Sequence, residues 1–276
     1  TSFAEICGDV NITFIGPSAE VMSVMSDKVS AREAMAEAGL PTLSGTPILR
    51  TFAEAQEAVK NIGYPLMLKA VAGGGGRGIR LIKRPDEFER VFNLAQNEVR
   101  EAFKDDGLYL EHYLERARHI EIQVLVDHYG NGVHLGERNC SCQRRNQKVL
   151  EESPSPLLPR ELRDEMGRKS VRAVQQVGYR NAGTLEFLVD EQNRYYFMEM
   201  NTRLQVEHPV TELVTSLDLV KEQIRIADGQ PLQLQQEKIQ FRGHAIECRI
   251  TAEDADADFR PQTGTIEQYL PPGGPG

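Results

Sequence analysis

The sequence predicts a mixed α+β fold with antiparallel sheets. Three observations carry that expectation. Over the first hundred residues, amphipathic helical stretches alternate with short apolar runs bounded by glycine and proline. From Leu108 onward, polar and apolar residues alternate with a period of two. The runs at 181–190 and 194–200 are both strand-like and are separated only by the polar turn near Gln192-Asn193.

In chain order, residues 11–17 read as a short strand closed by Gly16-Pro17. Residues 18–40 have a helical pattern, broken at Ser26 and Asp27 by a capping signal. A second helix spans 51–61, a strand 64–70, a glycine loop 73–78 and another strand 79–83. Pro85 starts a helix running to about Phe103. Strands follow at 109–113 and 119–127. In the second, Ile120, Ile122, Val124 and Val126 share one face and His119, Glu121 and Gln123 the other. Residues 134–139 continue the sheet, 160–177 form an amphipathic helix, 217–228 another, and 244–251 a late strand. From Pro261 a further β-rich unit is expected.

The chain has 276 residues, and 32 Lys+Arg against 41 Asp+Glu give a net charge of -9. That length suits roughly two domains. The acidic balance, with no basic run, argues against nucleic acid or an anionic membrane as the main partner. No apolar run reaches the roughly 18 residues of a membrane span. The cysteines, Cys7, Cys140, Cys142 and Cys248, lack zinc-ligand spacing. Isolated thiols fit a reducing compartment, so the expected location is the cytoplasm or an organellar stroma or matrix. Thr1 at the start and the Pro/Gly-rich end at Gly276 suggest a piece of a longer polypeptide.

The loop Gly73-Gly74-Gly75-Gly76-Arg77-Gly78 satisfies the dinucleotide pattern formally, but a strand follows it where that pattern needs a helix. What remains is a hairpin tip whose amides can close over phosphate oxygens, with Lys69 at the end of the preceding strand. Glu186 and Glu199 each interrupt an apolar strand, and the hairpin joining those strands brings the two acids together. Adjacent ionised carboxylates repel unless a cation lies between them. Mg²⁺ held by one or two carboxylates and phosphate oxygens satisfies that need.

If the chain stays extended past Glu199, alternation lines up Glu199, Asn201, Arg203, Gln205 and Glu207 on one face. Such a row suits a cleft, where Arg203 can hold a planar anion and Glu207 can act as a general base. The donor-rich block 137–148 would line an anionic site, although taken alone it reads as a solvated turn.

Taken together these motifs resemble one family. Met25-Ser26-Asp27-Lys28, Leu68-Lys69-Ala70 with the glycine loop, Arg118-His119-Ile120-Glu121-Ile122-Gln123, Gln143-Arg144-Arg145-Asn146-Gln147-Lys148, and the run from Glu199-Met200-Asn201 through Arg203-Leu204-Gln205-Val206-Glu207-His208-Pro209 to Glu212 are similar to biotin carboxylases. The likeness is collinear over essentially the whole chain.

The resemblance implies an ATP-grasp fold at 18–228, with a glycine-loop lid subdomain at about 42–115. It also implies the tail of a preceding α/β domain at 1–17 and the start of a C-terminal β-rich domain at 229–276. The implied reaction is ATP-dependent carboxylation of biotin on a carrier protein. It uses bicarbonate and passes through carboxyphosphate, as the first half-reaction of acetyl-CoA carboxylase in fatty-acid synthesis. The implied cofactors are ATP, two Mg²⁺ or Mn²⁺ ions and carrier-bound biotin. The implied partners are the biotin carboxyl carrier protein, a carboxyltransferase component and, at full length, a second copy in a homodimer.

Carried over position by position, Lys28 and Lys69 would meet the ATP phosphates and Gly75 and Gly76 would lie in the lid. Glu111, His112, Tyr113 and Leu114 would form the adenine hinge, with His119 near the ribose and Gln143 and Asn146 beside the nucleotide. Glu186, Glu199 and Asn201 would bind metal. Lys148, Arg203, Gln205 and Val206 would hold bicarbonate, Glu207 would take its proton, and Arg249 would stabilise the biotin enolate.

Asn146 departs from the family pattern, in which many members have His; the amide keeps hydrogen bonding but loses the titratable ring. Two rivals stand beside this reading. One is another ATP-grasp ligase, such as the large subunit of carbamoyl-phosphate synthetase. The other is a non-catalytic or inactive ATP-binding fragment.

Overall fold

The computed structural model describes residues 1–71, 78–103 and 107–274. The elements are α1 (Ser2–Asp9), α2 (Ala19–Ser26), α3 (Lys28–Glu37), α4 (Phe52–Ile62), β1 (Leu66–Ala70), β2 (Ile79–Ile82), α5 (Pro85–Phe103), β3 (Leu108–His112), β4 (Ala117–Val126), β5 (Gly132–Arg144), β6 (Gln147–Ser153), α6 (Arg160–Gln176), β7 (Asn181–Asp190), β8 (Tyr195–Asn201), α7 (His208–Thr215), α8 (Leu219–Ala227), β9 (Ala245–Cys248), β10 (Glu253–Asp254) and β11 (Arg260–Pro261). Among the described residues, no helix is long and apolar enough to cross a membrane.

The local signals explain where the helices start. Ser18 accepts the amide of Val21 at 3.3 Å, and Asp27 accepts that of Ser30 at 2.7 Å, so Asp27 ends α2 and caps α3. Thr51 and Glu54 form a reciprocal capping box on α4.

Two of the antiparallel sheets among the described residues form the body of the fold. The smaller has the order β2-β1-β3 and is covered by α4 and α5. Its core includes Leu66, Leu68, Phe88, Phe92 and Leu110. The larger has the order β8-β7-β4-β5-β6-β9. On β4, Ile120, Ile122, Val124 and Val126 pack with Met166, Ala173 and Val174 of α6 and Met35 of α3. Each fully buried aliphatic of this size contributes about 1.5–3 kcal/mol, which fixes the strand's register. The same alternation turns His119, Glu121 and Gln123 to the opposite face, as the sequence predicts. At the far end of that face, Leu125 and Leu135 pack against Leu219 and Ile226 of α8.

Four local expectations are corrected. Residues 11–17 form turn and coil rather than a strand, and α1 precedes them. No described strand lies alongside, and Ile12 and Ile15 stay exposed, so the apolar run has no ladder to join. The block 137–148 is not a solvated turn but the paired ends of β5 and β6, joined by Arg145 and Asn146, both at positive φ. The chain leaves its extended form at Asn201, and α7 starts at His208, so the row beyond Glu199 is not a strand face. Beyond β9, which joins the large sheet through β6, the two-residue pair β10–β11 is the only strand pairing among the described residues; residues 262–274 carry neither helix nor strand.

Candidate active site

A cleft of about 810 Å³ separates the small sheet from the polar face of the large one. Lys28, Met67, Lys69, Ile79 and Tyr109 form one wall, and the segment Glu111, His112, Tyr113 and Leu114, leading from β3 toward β4, closes its back. Leu188 and Met198 give the floor an apolar strip beside that segment. His119, Gln143, Asn146, Lys148, Glu186, Glu199 and Asn201 line the polar floor. Arg203, Gln205, Val206, Glu207 and Arg249 complete the far wall. Every site residue expected from the sequence therefore faces one cleft, except Gly75 and Gly76, which lie outside the described residues.

Glu186 is the hub of the floor. It is 3 % exposed. Its Oε1 accepts from Lys148 Nζ at 2.8 Å, Asn201 Nδ2 at 2.8 Å and Gln205 Nε2 at 3.0 Å. Its Oε2 lies 2.9 Å from His119 Nε2. Burial pushes this carboxyl up, but His119 and Lys148 outweigh burial and hold it well below the usual carboxylate range. Glu199 is its cross-strand partner in the β7–β8 register. Both acids open into the cleft, as the paired-acid expectation required.

Lys148 Nζ donates to three carboxylates: Glu121 at 2.5 Å, Glu186 at 2.8 Å and Glu207 at 2.7 Å. Burial alone would favour the neutral amine, yet these three acids drive its pKa far above the ordinary lysine value. Glu207 is 2 % exposed, and its second oxygen accepts from Arg249 Nη2 at 2.8 Å. Burial raises the Glu207 pKa, but Lys148 more than reverses this and keeps the group ionised. Arg249 also donates to Glu151 at 2.6 Å. Arg203 is exposed in the cleft wall, and its Nη1 donates to the neighbouring carbonyl of Leu204 at 3.3 Å. Bending of the chain after Asn201 thus still brings Arg203, Gln205 and Glu207 into the cleft, from a loop instead of a strand.

The residues fit a hard divalent cation. Glu199's carboxylate makes no hydrogen bond or ion pair among the described residues, and it stands opposite a second carboxylate. Asn201 spends its Nδ2 on Glu186, leaving its Oδ1 as an oxygen donor. A second grouping, His119 with Glu121 and Glu186, has potential ligand atoms all within 4.8 Å of one another. Lys148 bridges Glu121 and Glu186 in that grouping.

Lys69 is not a lone cation: its ammonium pairs with Glu111, a diagonal neighbour across the β1–β3 register. Arg32 lies 3.5 Å from the same carboxylate. Lys28 is the first residue of α3. His119 and Gln143 lie 2.8 Å apart, and Gln143 also donates to the Cys140 carbonyl. Asn146 sits exposed at the β5–β6 tip.

Sequence reasoning missed Arg138 and the role of Glu121, both fully buried beneath this floor. The signal for Glu121 was its place on the polar face of β4; Arg138 was hidden in the donor-rich block.

The model of the carbamoyl-phosphate synthase L chain, ATP binding domain, matches residues 27–235. A biotin carboxylase from Nostoc sp. is 58% identical over 275 residues, covering 99% of this chain and 62% of that protein. The biotin carboxylase domain dimer of Hydrogenobacter thermophilus 2-oxoglutarate carboxylase, solved with MgADP, ADP and bicarbonate, superposes with a TM-score of 0.94 at 52% identity, covering 100% of this chain and 61% of that one. The Campylobacter jejuni biotin carboxylase complex with a β-γ-ATP ligand gives a TM-score of 0.93 at 47% identity, covering 99% and 61%. The chain spans about three fifths of the length of these proteins.

Proposed function

We propose, since the chain belongs to the carbamoyl-phosphate synthase L chain ATP-binding domain family and has the ATP-grasp fold of the biotin carboxylases it resembles, that it carries the nucleotide- and bicarbonate-binding core of a biotin carboxylase. The reaction is ATP-dependent. A bicarbonate oxygen attacks the γ-phosphorus, ADP leaves, and the resulting carboxyphosphate delivers its carboxyl group to N1′ of carrier-bound biotin, the N1′ proton passing to the released phosphate. The observation that carries this reading is the Lys148 ammonium held by Glu121, Glu186 and Glu207, in one cleft with an exposed Arg203 guanidinium and the Glu186–Glu199 pair.

The residues divide the work by chemistry. Leu188, Met198 and the segment from Glu111 to Leu114 offer an apolar slot with backbone polar groups, which suits a purine. His119, Gln143 and Asn146 lie on the ribose side. Lys28 and Lys69 supply charge for the phosphates. When bound, divalent ions on Glu186, Glu199 and Asn201 neutralise the charge of the triphosphate.

Arg203, Lys148, Gln205 and the chain at Val206 hold the planar anion, which supplies proximity for a poor nucleophile. Glu207, kept ionised by Lys148, accepts its proton. Arg249 neutralises the enolate form of biotin. The further partners are a biotin carboxyl carrier protein, a carboxyltransferase component and, in the longer protein, a second copy. The location is the cytoplasm or an organellar stroma. Acetyl-CoA, in fatty-acid synthesis, is the proposed final acceptor. A 2-oxo acid is the alternative, distinguished by which acceptor the parent carboxylase consumes.

ATP cleavage measured with Mg²⁺, bicarbonate and free biotin tests the reading. ADP release that rises with both is expected. Nucleotide binding without any such stimulation would instead support a non-catalytic ATP-binding fragment.

A further inference from the structure

Arg138, on β5, is fully buried, at 0 % exposure. Its guanidinium has five N–H bonds, and each meets an acceptor. Nε donates to Glu121. Nη1 donates to Gln123 Oε1 at 2.8 Å and Thr211 Oγ1 at 2.9 Å. Nη2 donates to Thr184 Oγ1 at 3.2 Å and Gln205 Oε1 at 3.3 Å. One side chain thus ties β4, β7, α7 and the loop carrying Gln205 together. Replacing a buried charged group by packed apolar atoms is often neutral for stability, so stability alone does not call for an arginine here.

The polarity of the contacts suggests what it does. An amide side chain has two ends of nearly equal size, one that accepts and one that donates. A guanidinium only donates, so the end of Gln205 that faces it must be the oxygen. The nitrogen end is thereby turned to Glu186 Oε1, 3.0 Å away, on the cleft floor. The same fork holds Gln123 by its oxygen, and that residue's Nε2 donates to the Gly183 carbonyl at 3.0 Å. Through Glu121, Arg138 also anchors the carboxylate that receives Lys148 Nζ at 2.5 Å.

We infer that Arg138 is a positioning residue for the anion subsite. It locks the Gln205 amide with its N–H bonds toward the cleft, and it fixes Glu121 so that the Lys148 ammonium stays at the floor. An anion entering beside Arg203 then meets the N–H end of Gln205 and the Lys148 ammonium, with the Glu207 carboxylate alongside them. This rests on the reading of the cleft as a bicarbonate site.

The test compares the wild-type chain, Arg138→Lys, Gln205→Ala and the double variant in bicarbonate-stimulated ATP cleavage. Lysine keeps the charge but loses the planar fork. Arg138→Lys is expected to raise the KM for bicarbonate about tenfold while moving the KM for ATP less than about twofold. In the Gln205→Ala background the added effect of Arg138→Lys should shrink to about twofold, because residues acting through one another are not additive. Equal losses toward ATP and bicarbonate, or full additivity, would overturn the inference while leaving the function intact. A wild type with no bicarbonate response would overturn the function and this inference with it.

Should Arg138→Lys fail to fold, ¹⁵N-labelled wild type decides the matter. The Gln205 amide protons should show contacts to the Asn201 and Lys148 side chains and none to the Arg138 guanidinium. The reverse pattern would sink the assignment.

Discussion

Glu186 and Glu199 face each other across β7 and β8, but among the described residues only Glu186 is engaged by protein donors. The asymmetry has a functional consequence. Neutralising Glu186 would break a network of four partners, whereas Glu199 can be changed with little disturbance to the fold. Glu199→Gln is therefore the clean test of the cation site. It should lower Mg²⁺-dependent ATP turnover by about 100-fold or more, with a melting temperature within a few degrees of wild type. Unchanged turnover would remove Glu199 from the metal site.

Lys148 stands among three acids, so removing it leaves their charges uncompensated. Lys148→Met should destabilise the chain by about 3–5 kcal/mol at neutral pH, as for breaking a buried pair. The pH dependence should change as well. Glu186 and Glu207 have folded pKa values below the ordinary 4.5, so in wild type their contribution is present above that value and is lost as the pH falls through the folded values. Without Lys148 those carboxyls protonate more readily in the folded state, and the deficit should narrow as the pH falls toward 4.5. Denaturant titrations of both chains between neutral and acidic pH measure this directly; a deficit that stays constant with pH contradicts it.

The parts of the site that could be read in the sequence are those where polarity and period agree. On β4, apolar and polar residues alternate without a break from His119 to Val124, so one face had to be core and the other cleft. The hairpin of β7 and β8 announced itself because each acid interrupts an apolar run. β5 and β6 failed the same test. They carry Gln143 and Lys148 at the cleft and Arg138 buried beneath it; the charges of Arg138 and Lys148 are matched by acids distant in sequence, and a composition that is soluble by itself reads as a turn. The loop from Thr202 to Glu207 failed for a different reason. Alternation predicted the correct residues in the cleft, but Gln205 and Glu207 reach it because the chain bends after Asn201. Arg138 could not have been found, since its five acceptors come from four separate segments.

His134 is a buried histidine on β5, packed against Gly167 of α6, where any side chain would collide with its ring. Its Nδ1 has no hydrogen-bond partner among the described residues. Burial lowers its pKa to about 4, with Asp164 opposing and Arg168 and Arg163 adding to the effect. The folded chain therefore binds fewer protons here than the unfolded chain between about 4 and 6.5. Stability should rise with pH across that window, and the contribution present above it should be lost on acidification, by up to about 3 kcal/mol. His134→Gln should flatten this part of the stability–pH curve. A curve of unchanged slope in the variant would show that other groups carry it.

Asn146 occupies the second position of the two-residue turn between β5 and β6, with φ of 62° after Arg145 at 53°. Both angles are left-handed, as a two-residue hairpin with the right twist demands. Asn, Asp and His tolerate that region better than other side chains, while β-branched residues clash with their own carbonyl there. The backbone requirement therefore admits the histidine of the resembling family as readily as the asparagine present. Asn146→His should leave the melting temperature nearly unchanged, whereas Asn146→Val should cost about 1–2 kcal/mol. A change in ATP cleavage in the histidine variant, at constant stability, would then report the imidazole's own chemistry beside the nucleotide. Equal destabilisation by His and Val would contradict this account of the turn.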